Sequence, residues 1–287
     1  MIKIENLSFG YNKQNLLFND LNFEVKPGRI YGILGKNAAG KTSLLHLMIG
    51  LLSSYKGSIT AFDETPKKRT PSFLNQIYYL PEIFYTPKVS VNEYVKLHSP
   101  FYDNFAMDIF DDCIRTFGIE CSNKVSSLSF GEQKKVLISF ALATCSSVIL
   151  LDEPTNGLDI PGKSIFNKLI LKYVTEDQSI LIATHQVKDL QNIIDPIIIL
   201  DSGKVVINSP RELIDDRIAF YFTRKLVDDN NVIYSERTPG GYLIIAERDK
   251  FDGDEIKFEL SPFFKSVLKD TDTYQKILKN SGDDNEK

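Results

Sequence analysis

The chain has 287 residues, of which 43% are hydrophobic and 25% are charged, and its formal net charge is −4. This apolar content excludes a wholly disordered protein, and the slight excess of acidic residues excludes the positive field typical of nucleic-acid-binding proteins. The most apolar stretch, residues 136–151, contains polar residues and is shorter than the roughly 20 residues of a membrane-spanning helix. We therefore expect a globular chain that does not cross a bilayer and that has no nucleic-acid partner.

The first fifty residues predict paired strands followed by a strand, a glycine-rich loop and a helix. Residues 2–7 and 21–25 alternate between apolar and polar side chains, as strands with one buried face do. Residues 29–34 form a short apolar run, and residues 42–52 carry leucine and methionine at helical spacing. A strand, a glycine loop and a helix in this order typically begin a parallel α/β sheet.

The segment 73–110 is unusually aromatic, since ten of its 38 residues are phenylalanine or tyrosine. Its prolines and aromatic residues predict short helices and loops inserted between strands of the sheet. Two interpretations of the aromatic residues remain open. They form a second small hydrophobic core, or they line a groove in which a partner docks.

Later apolar runs predict buried parallel strands at residues 148–151, 179–183 and 197–200. Helical patterns at 132–143 and 162–173 lie between them. The alternation of strands and helices predicts an α/β fold with a parallel sheet.

The C-terminal part of the chain has a different pattern, which predicts a separate α+β module. Residues 232–235, 242–247 and 255–260 are predicted as three short strands, with glycine-containing turns between them. We expect a helix to begin at Ser261-Pro262, with serine as the N-cap. The predicted domains are therefore 1–210 and 211–287.

The glycine-rich loop carries the most specific motif of the chain. Residues 35–42 read Gly-Lys-Asn-Ala-Ala-Gly-Lys-Thr and fit the pattern G-x-x-x-x-G-K-[ST]. Glycines allow backbone N–H groups to turn toward phosphates, Lys41 is placed to reach the β- and γ-phosphates, and the Thr42 hydroxyl to bind Mg²⁺. The following helix adds the positive end of its dipole. The loop therefore predicts a site for a nucleoside triphosphate.

Acidic residues follow the strand predicted at 148–151. Asp152 is placed to hold Mg²⁺, and Glu153 to polarise a water molecule toward the γ-phosphate. Upstream, Ser129 and Glu132 fit a capping box at the start of a helix, which is also a place where anions bind. This helix start lies far along the chain from the phosphate loop, so a second subunit could supply it to the phosphate site.

Together these motifs resemble those of ATP-binding cassette ATPases, the nucleotide-binding subunits of ABC transporters, over roughly residues 1–210. Residues 35–42 match the family's Walker A motif, residues 148–153 its Walker B motif and residues 128–132 its LSGGQ signature. Residues 156–159 match the D-loop and His185 the switch histidine. The residues that this resemblance assigns to nucleotide binding are Tyr11, which stacks on adenine in the family, Gly35, Asn37, Ala38, Ala39, Gly40, Lys41, Thr42, Ser43, Ser129, Gly131, Glu132 and Asp159.

The resemblance implies a P-loop NTPase fold with a mixed or parallel core sheet and an antiparallel N-terminal β subdomain. An inserted helical subdomain at about 83–145 and a small C-terminal α+β appendage complete this fold. It also implies a head-to-tail dimer with a second copy or a paralogous cassette subunit, and two ATP molecules sandwiched between the chains. Lys41 and Thr42 of one chain would then face Ser129 and Gly131 of the other.

The resemblance also implies roles for the residues that act on ATP. Glu153 would be the general base, His185 would orient the γ-phosphate and the water molecule, and Lys41 would contact the phosphates. The residues implied to bind Mg²⁺ are Thr42, Asp152 and Glu82, and the last of these is also implied in catalysis.

Four positions depart from the family pattern. Ala38 and Phe130 replace glycines, Glu132 replaces the signature glutamine, and Glu82 stands at the position of the switch glutamine. A carboxylate at Glu82 can still bind Mg²⁺ or water, but it adds negative charge near the phosphates. We expect this charge to change the affinity for Mg²⁺ and the rate of hydrolysis.

The kind of cassette protein is an inference from the same resemblance. Leu80-Pro81-Glu82 and the C-terminal module are similar to those of exporters with separate ATPase and permease chains. This similarity implies a separate transmembrane permease, whose coupling helix docks on the helical subdomain, and a location at the cytoplasmic face of the membrane. The alternative is a soluble cassette ATPase without a transport role, such as an iron–sulfur assembly ATPase. A regulator that does not hydrolyse ATP is disfavoured by the presence of Glu153 and His185.

Overall fold

A computed structural model describes residues 1–12, 14–225, 227 and 230–279, and it confirms the α/β fold class. The end of the predicted C-terminal module, residues 280–287, lies outside the described residues. The strands are β1 (Ile2–Phe9), β2 (Phe18–Val25), β3 (Arg29–Gly35), β4 (Lys56–Ala61), β5 (Ile77–Leu80), β6 (Val148–Asp152), β7 (Ser179–Thr184), β8 (Ile197–Asp201), β9 (Lys204–Ser209), β10 (Ile218–Thr223), β11 (Val232–Thr238), β12 (Gly241–Glu247) and β13 (Asp254–Ile256). The helices are α1 (Lys41–Met48), α2 (Pro71–Asn75), α3 (Val91–His98), α4 (Met107–Phe117), α5 (Phe130–Ala143), α6 (Ile160–Tyr173), α7 (Arg211–Arg217), α8 (Leu260–Lys269) and α9 (Thr271–Lys279).

The central sheet has six strands in the order β5-β6-β7-β3-β8-β9. Neighbouring strands are parallel except β9, which pairs antiparallel with β8. Every residue of β6 and β7 is buried, which explains why their sequences are continuous apolar runs. Because the strands run in the same direction, the carboxyl ends of β3, β6 and β7 meet at one edge of the sheet.

Alternate residues of the central sheet enter two different cores. Val148 and Leu150 pack with α1 and with the three-stranded antiparallel sheet β2-β1-β4 on one face. Ile149 and Leu151 pack with α5 and α6 on the other face. The predicted antiparallel pairing at the N-terminus is therefore present, and its buried face covers the helix that follows the phosphate loop.

The aromatic segment packs around Phe140 of α5. The Phe140 ring contacts those of Tyr78, Tyr94, Tyr102 and Phe105 at centroid distances of 5.0–6.0 Å. These residues are not a separate small core, because they are continuous with the core beneath α5 and α6. The prediction of helices and loops alone was wrong at β5, a four-residue edge strand that is recognisable only through its pairing with β6.

The C-terminal module is a four-stranded antiparallel sheet in the order β11-β12-β10-β13, with α8 and α9 packed beside it. The sequence missed β10, α7 and α9, and β13 ends at Ile256 instead of residue 260. The prediction of a helix capped by Ser261 was also wrong. α8 begins at Leu260, because burial of Leu260 and Phe263, both fully inaccessible, sets its register.

The central position of Phe140 makes it the residue on which the aromatic packing depends. Replacing Phe140 with alanine leaves a cavity among four rings, so we expect the free energy of unfolding to fall by about 3–5 kcal/mol. Urea denaturation of the full chain measures this loss. Tyr85→Ala is the control, because the Tyr85 side chain is 85% exposed and should cost little. Equal stability of the two variants would contradict this account of the core.

Candidate nucleotide site

The phosphate loop connects β3 to α1 and depends on unusual backbone angles. Gly40 has φ +104°, and a Cβ atom there would lie 2.8 Å from the Phe18 ring, so only glycine fits. Ala38 has φ +64°, a left-handed conformation that explains why glycine is usual in the family at this position. Asn37 and Ala38 are exposed at the tip of the loop, whereas Gly35 and Ala39 are buried. The loop therefore presents its backbone at an open edge.

Lys41 folds over this loop. Its Nζ donates hydrogen bonds to the carbonyl oxygens of Gly35 and Lys36, at 2.9 and 3.3 Å. The same ammonium lies 3.8 Å from Glu153 Oε1. Burial lowers the pKa of Lys41, and the nearby carboxylates of Glu153, Asp152 and Glu82 oppose this effect. A buried cation is thus placed beside the loop, as phosphate binding requires.

Thr42 and Asp152 form a pair of oxygen ligands at the edge of the sheet. Thr42 Oγ1 donates a hydrogen bond of 2.6 Å to Asp152 Oδ2, while Asp152 Oδ1 is buried and has no hydrogen-bond partner among the described residues. Burial raises the pKa of the Asp152 carboxyl, the Thr42 hydrogen bond opposes this, and the charges of Glu153 and Glu82 add to it. Hydroxyl and carboxylate oxygens are the ligands that Mg²⁺ prefers. The unpartnered oxygen therefore fits a Mg²⁺ ion.

The described residues contain no cluster of three or more His, Cys, Asp or Glu side chains that could hold a metal ion by themselves. This fits Mg²⁺ in nucleotide sites, where one or two protein ligands act together with phosphate oxygens and water.

Glu153 follows β6 and is held by the end of β7. Thr184 Oγ1 donates to Glu153 Oε2 at 2.7 Å, and the backbone N–H of His185 donates to Oε1 at 3.0 Å. The His185 ring Nδ1 also lies 2.7 Å from Oε1. Glu153 itself has φ +46°, a left-handed conformation that non-glycine residues rarely adopt. The structure therefore brings Lys41, Glu153 and His185 together as the sequence predicts.

Glu82 lies after β5 and points toward the D-loop. Its Oε1 accepts a hydrogen bond of 3.0 Å from Asn156 Nδ2. The charge of Glu82 is close enough to raise the pKa of Asp152 and to oppose the lowering of that of Lys41. Glu82 thus belongs to the same electrostatic site as the phosphate loop.

The signature residues form a helix cap. Ser129 and Glu132 make the predicted capping box, with Ser129 N donating to Glu132 Oε2 at 2.8 Å and Glu132 N to Ser129 Oγ at 3.3 Å. A Cβ atom on Gly131 would lie 2.6 Å from the carbonyl oxygen of Gly157, so this position also requires glycine. Within the described residues, Ser129, Gly131 and Glu132 make no hydrogen bond to the phosphate loop. One chain alone does not bring the two motifs together.

Asp159 and Tyr11 make their contacts outside the cluster of Lys41, Glu153 and His185. Asp159 caps α6 by accepting a hydrogen bond from Gly162 N at 3.2 Å, and it pairs with Lys135 at 3.2 Å. The Tyr11 hydroxyl lies 2.8 Å from Ser43 Oγ, beside the first turn of α1. The Tyr11 side chain is 70% exposed, which leaves one face of its ring free for a base.

Two features of the site were missed by sequence reasoning. Thr184 orients Glu153, and its position as the last residue of a buried strand was the available signal. His46 Nε2 lies 2.9 Å from the Tyr79 hydroxyl behind Asp152. Burial and the neighbouring Asp152 raise the pKa of this hydroxyl. No sequence pattern links His46 to Tyr79, because their contact depends on the position of β5.

Among the described residues, no helix combines the length and the apolar character that crossing a membrane requires.

Comparison with known proteins finds similarity to ATP-binding proteins of transporters. Residues 18–156 match the ABC transporter family. The chain is 29% identical over 238 residues to the bacitracin transport ATP-binding protein BcrA of Bacillus licheniformis, covering 81% of this chain and 77% of the relative. It is also 29% identical over 223 residues to the zinc import ATP-binding protein ZnuC of Ehrlichia chaffeensis, covering 75% and 86%.

The fold is shared with solved structures. A dimeric post-hydrolysis state of the ATP-binding cassette MJ0796 with ADP and Pi has a TM-score of 0.63 and 23% identity, covering 73% of this chain and 98% of that one. The family match and the relatives together show that residues 18–156 carry an ABC transporter domain, similar to the ATP-binding subunits of transporters.

Proposed function

We propose that this chain binds ATP with Mg²⁺, hydrolyses it to ADP and phosphate, and thereby powers a separate membrane permease. The observation that carries this proposal is the convergence of Lys41, Thr42, Asp152, Glu153 and His185 at one edge of the central sheet. This set contains the cation, the metal ligands and the base that phosphoryl transfer to water requires.

Nucleotide binding begins at the phosphate loop and Tyr11. The triphosphate lies against the backbone of residues 35–42, with the adenine ring on the exposed face of Tyr11. Lys41 exchanges its bonds to the Gly35 and Lys36 carbonyls for bonds to phosphate oxygens, which are stronger because both partners are charged. Thr42 and Asp152 would hold Mg²⁺, which neutralises phosphate charge when bound.

Hydrolysis uses Glu153 as the general base. A water molecule beside Glu153 gives its proton to the carboxylate as its oxygen bonds to the γ-phosphorus, and the bond between this phosphorus and the β-phosphate oxygen breaks, which releases ADP. His185 and Thr184 hold the carboxylate in place, and Lys41 stabilises the charge that develops on the phosphate oxygens. These contacts depend on β6 and β7 being neighbours in the sheet, because Glu153 follows β6 and Thr184 ends β7.

A complete site needs a second chain. Ser129 caps α5 and Gly131 lies in its first turn, and among the described residues neither makes a hydrogen bond to the phosphate loop of its own chain. We therefore propose a head-to-tail dimer with a second copy or a paralogous cassette subunit. In this dimer Ser129 and Gly131 of one chain, with Glu132 and Asp159 beside them, face the ATP bound by the other.

The permease docks in an apolar groove between the central sheet and α3. This groove has a volume of about 780 Å³, and its aromatic lining includes Tyr94, Phe101 and Tyr102. Phe101 is 70% exposed at the rim. A short amphipathic helix from a cytoplasmic loop of the permease fits such a groove, since apolar anchors at helical spacing fill aromatic pockets.

This docking would hold the chain at the cytoplasmic face of the membrane. Export remains a prediction from the sequence, because one of the relatives is named for zinc import. The match to transport proteins favours this function over that of an iron–sulfur assembly ATPase. We also propose that residues 1–210 form the ATP-binding cassette and that residues 211–287 form an accessory domain.

The role of Glu153 is tested by replacing it with glutamine. We expect Glu153→Gln to bind ATP normally, to hydrolyse it at least about 100-fold more slowly, since a general base contributes about 10²–10⁴-fold, and to accumulate ATP-bound dimers on gel filtration. Glu120→Gln removes an exposed carboxylate away from the site and serves as the control. Turnover by Glu153→Gln at the parent rate would show that another group is the base.

The role of Glu82 is tested through the Mg²⁺ dependence of hydrolysis. We propose that Glu82, held by Asn156, acts on the site through its charge. Glu82→Gln removes a negative charge that opposes both ionisation of Asp152 and binding of the triphosphate. We expect the Mg²⁺ concentration for half-maximal activity to fall by about two- to fivefold. A higher Mg²⁺ requirement would instead identify Glu82 as a direct ligand.

The docking groove is tested by co-purification from detergent-solubilised membranes. The tagged chain should retain an integral membrane protein, and Phe101→Asp should lose it, because a charge at the rim opposes burial of an apolar helix. Leu171→Asp on α6, also at an exposed apolar residue, should retain it. Recovery of soluble partners alone would contradict the transport function, and equal recovery with Phe101→Asp would contradict the groove.

A further inference from the structure

A buried lysine of α5 contacts the residue that we propose as the general base. Lys134 lies in the second turn of α5, and its side chain is completely buried. Its Nζ donates a hydrogen bond of 2.9 Å to the backbone carbonyl oxygen of Glu153. Within the described residues this ammonium has no ion pair with any carboxylate. Such a group is expensive to bury, so its position requires an explanation.

Two aromatic rings shield the ammonium. Lys134 Nζ lies 5.1 Å from the centroid of the Phe130 ring and 5.9 Å from that of Phe84. The two rings stack on each other at 5.3 Å with an interplanar angle of 8°. Burial lowers the pKa of Lys134, while the charges of Glu82, Glu153 and Asp152 oppose this. Phe130, which replaces a family glycine, thus contributes a cation–π contact that glycine cannot make.

The backbone that Lys134 contacts is strained. Glu153 has φ +46°, and a non-glycine residue keeps such a conformation only where its surroundings hold it. The Glu153 carbonyl accepts bonds from Lys134 Nζ and, at 3.2 Å, from Asn156 N. The carboxylate is held separately by Thr184 and His185. Lys134 is therefore the contact by which α5 fixes the main chain of Glu153.

We propose that Lys134 is a positioning residue for ATP hydrolysis, which holds Glu153 in its left-handed conformation and links it to the start of α5. This inference rests on the proposed function, in which Glu153 is the base. Its consequence concerns the dimer. Because α5 begins at Phe130, between Ser129 and Gly131, a shift of this helix caused by the partner's ATP reaches Glu153 of its own chain through Lys134.

The test compares two substitutions of Lys134 in the full chain. Lys134→Met keeps the length of the side chain but removes the charge and the donor. We expect kcat to fall by about 10- to 100-fold, as a displacement of about 1 Å in a catalytic group does, and the affinity for a fluorescent ATP analogue to change less than about twofold. Lys134→Arg keeps a donor and a cation and should restore at least about half of the parent kcat.

Two further measurements separate positioning from general stability. Lys172→Met is the control, because Lys172 bonds Asp112 at 2.7 Å between α6 and α4, outside the site. Its kcat should equal that of the parent, and all variants should show the parent's melting temperature within a few degrees. In the Glu153→Gln background, Lys134→Met should lower the residual rate less than about twofold, because both substitutions act through the same group.

The outcomes distinguish this inference from the proposed function. If Glu153→Gln is inactive but Lys134→Met turns over like the parent, the inference about Lys134 is wrong and the function stands. If Glu153→Gln turns over like the parent, the assignment of the base is wrong. Loss of ATP affinity or of thermal stability in both Lys134 variants would show a structural role and would also overturn the inference.

Discussion

Parallel hydrogen bonding of β7 with both β3 and β6 sets the position of the groups that we propose to act on ATP. Leu34 of β3 pairs with Thr184 of β7, and Asp152 of β6 pairs with Ala183. These pairs place the ends of three strands side by side, so Glu153 lies within hydrogen-bond distance of Thr184 at the end of β7 and 3.8 Å from Lys41 of the phosphate loop. A shift of one residue in either pairing would turn every side chain to the opposite face. The two apolar cores on either side of the sheet prevent this shift, and stability and chemistry therefore depend on the same register.

The second constraint is that four charged side chains are buried close together and each needs a hydrogen-bond partner. Asp152 and Glu153 receive hydrogen bonds from threonine hydroxyls, whereas Lys41 and Lys134 donate to backbone carbonyls. Opposite charges lie close without forming tight ion pairs. Such an arrangement leaves Lys41 able to change partners at small cost, because neither of its carbonyl contacts is charged. Lys134 has no comparable freedom, since aromatic rings enclose it.

Local sequence was sufficient for the parts of the molecule that depend on local backbone geometry. The phosphate loop and the capping box of Ser129 and Glu132 could be predicted because each is formed by residues that lie within a few positions of one another in the sequence. The strands β6 and β7 could also be predicted, because both of their faces are buried and their sequences are therefore mostly apolar. In contrast, β5 and β10 acquire their structure from partners far along the chain, so propensity alone does not identify them. The burial of Lys134 could not be predicted for the same reason. A single lysine in a helical pattern is normally exposed, and Lys134 is buried because the fold places Phe84 and Phe130 beside it.

The bonds of Lys41 to the Gly35 and Lys36 carbonyls also concern the end of the reaction. In the proposed reaction, departure of phosphate and ADP takes the phosphate oxygens away from the largely buried Lys41 ammonium, which is left with the Glu153 carboxylate 3.8 Å away. The two loop carbonyls then accept it again, which offsets part of the free energy lost with the products. The loop is thus suited to the release of ADP and phosphate as well as to the binding of ATP, and the proposed turnover needs both.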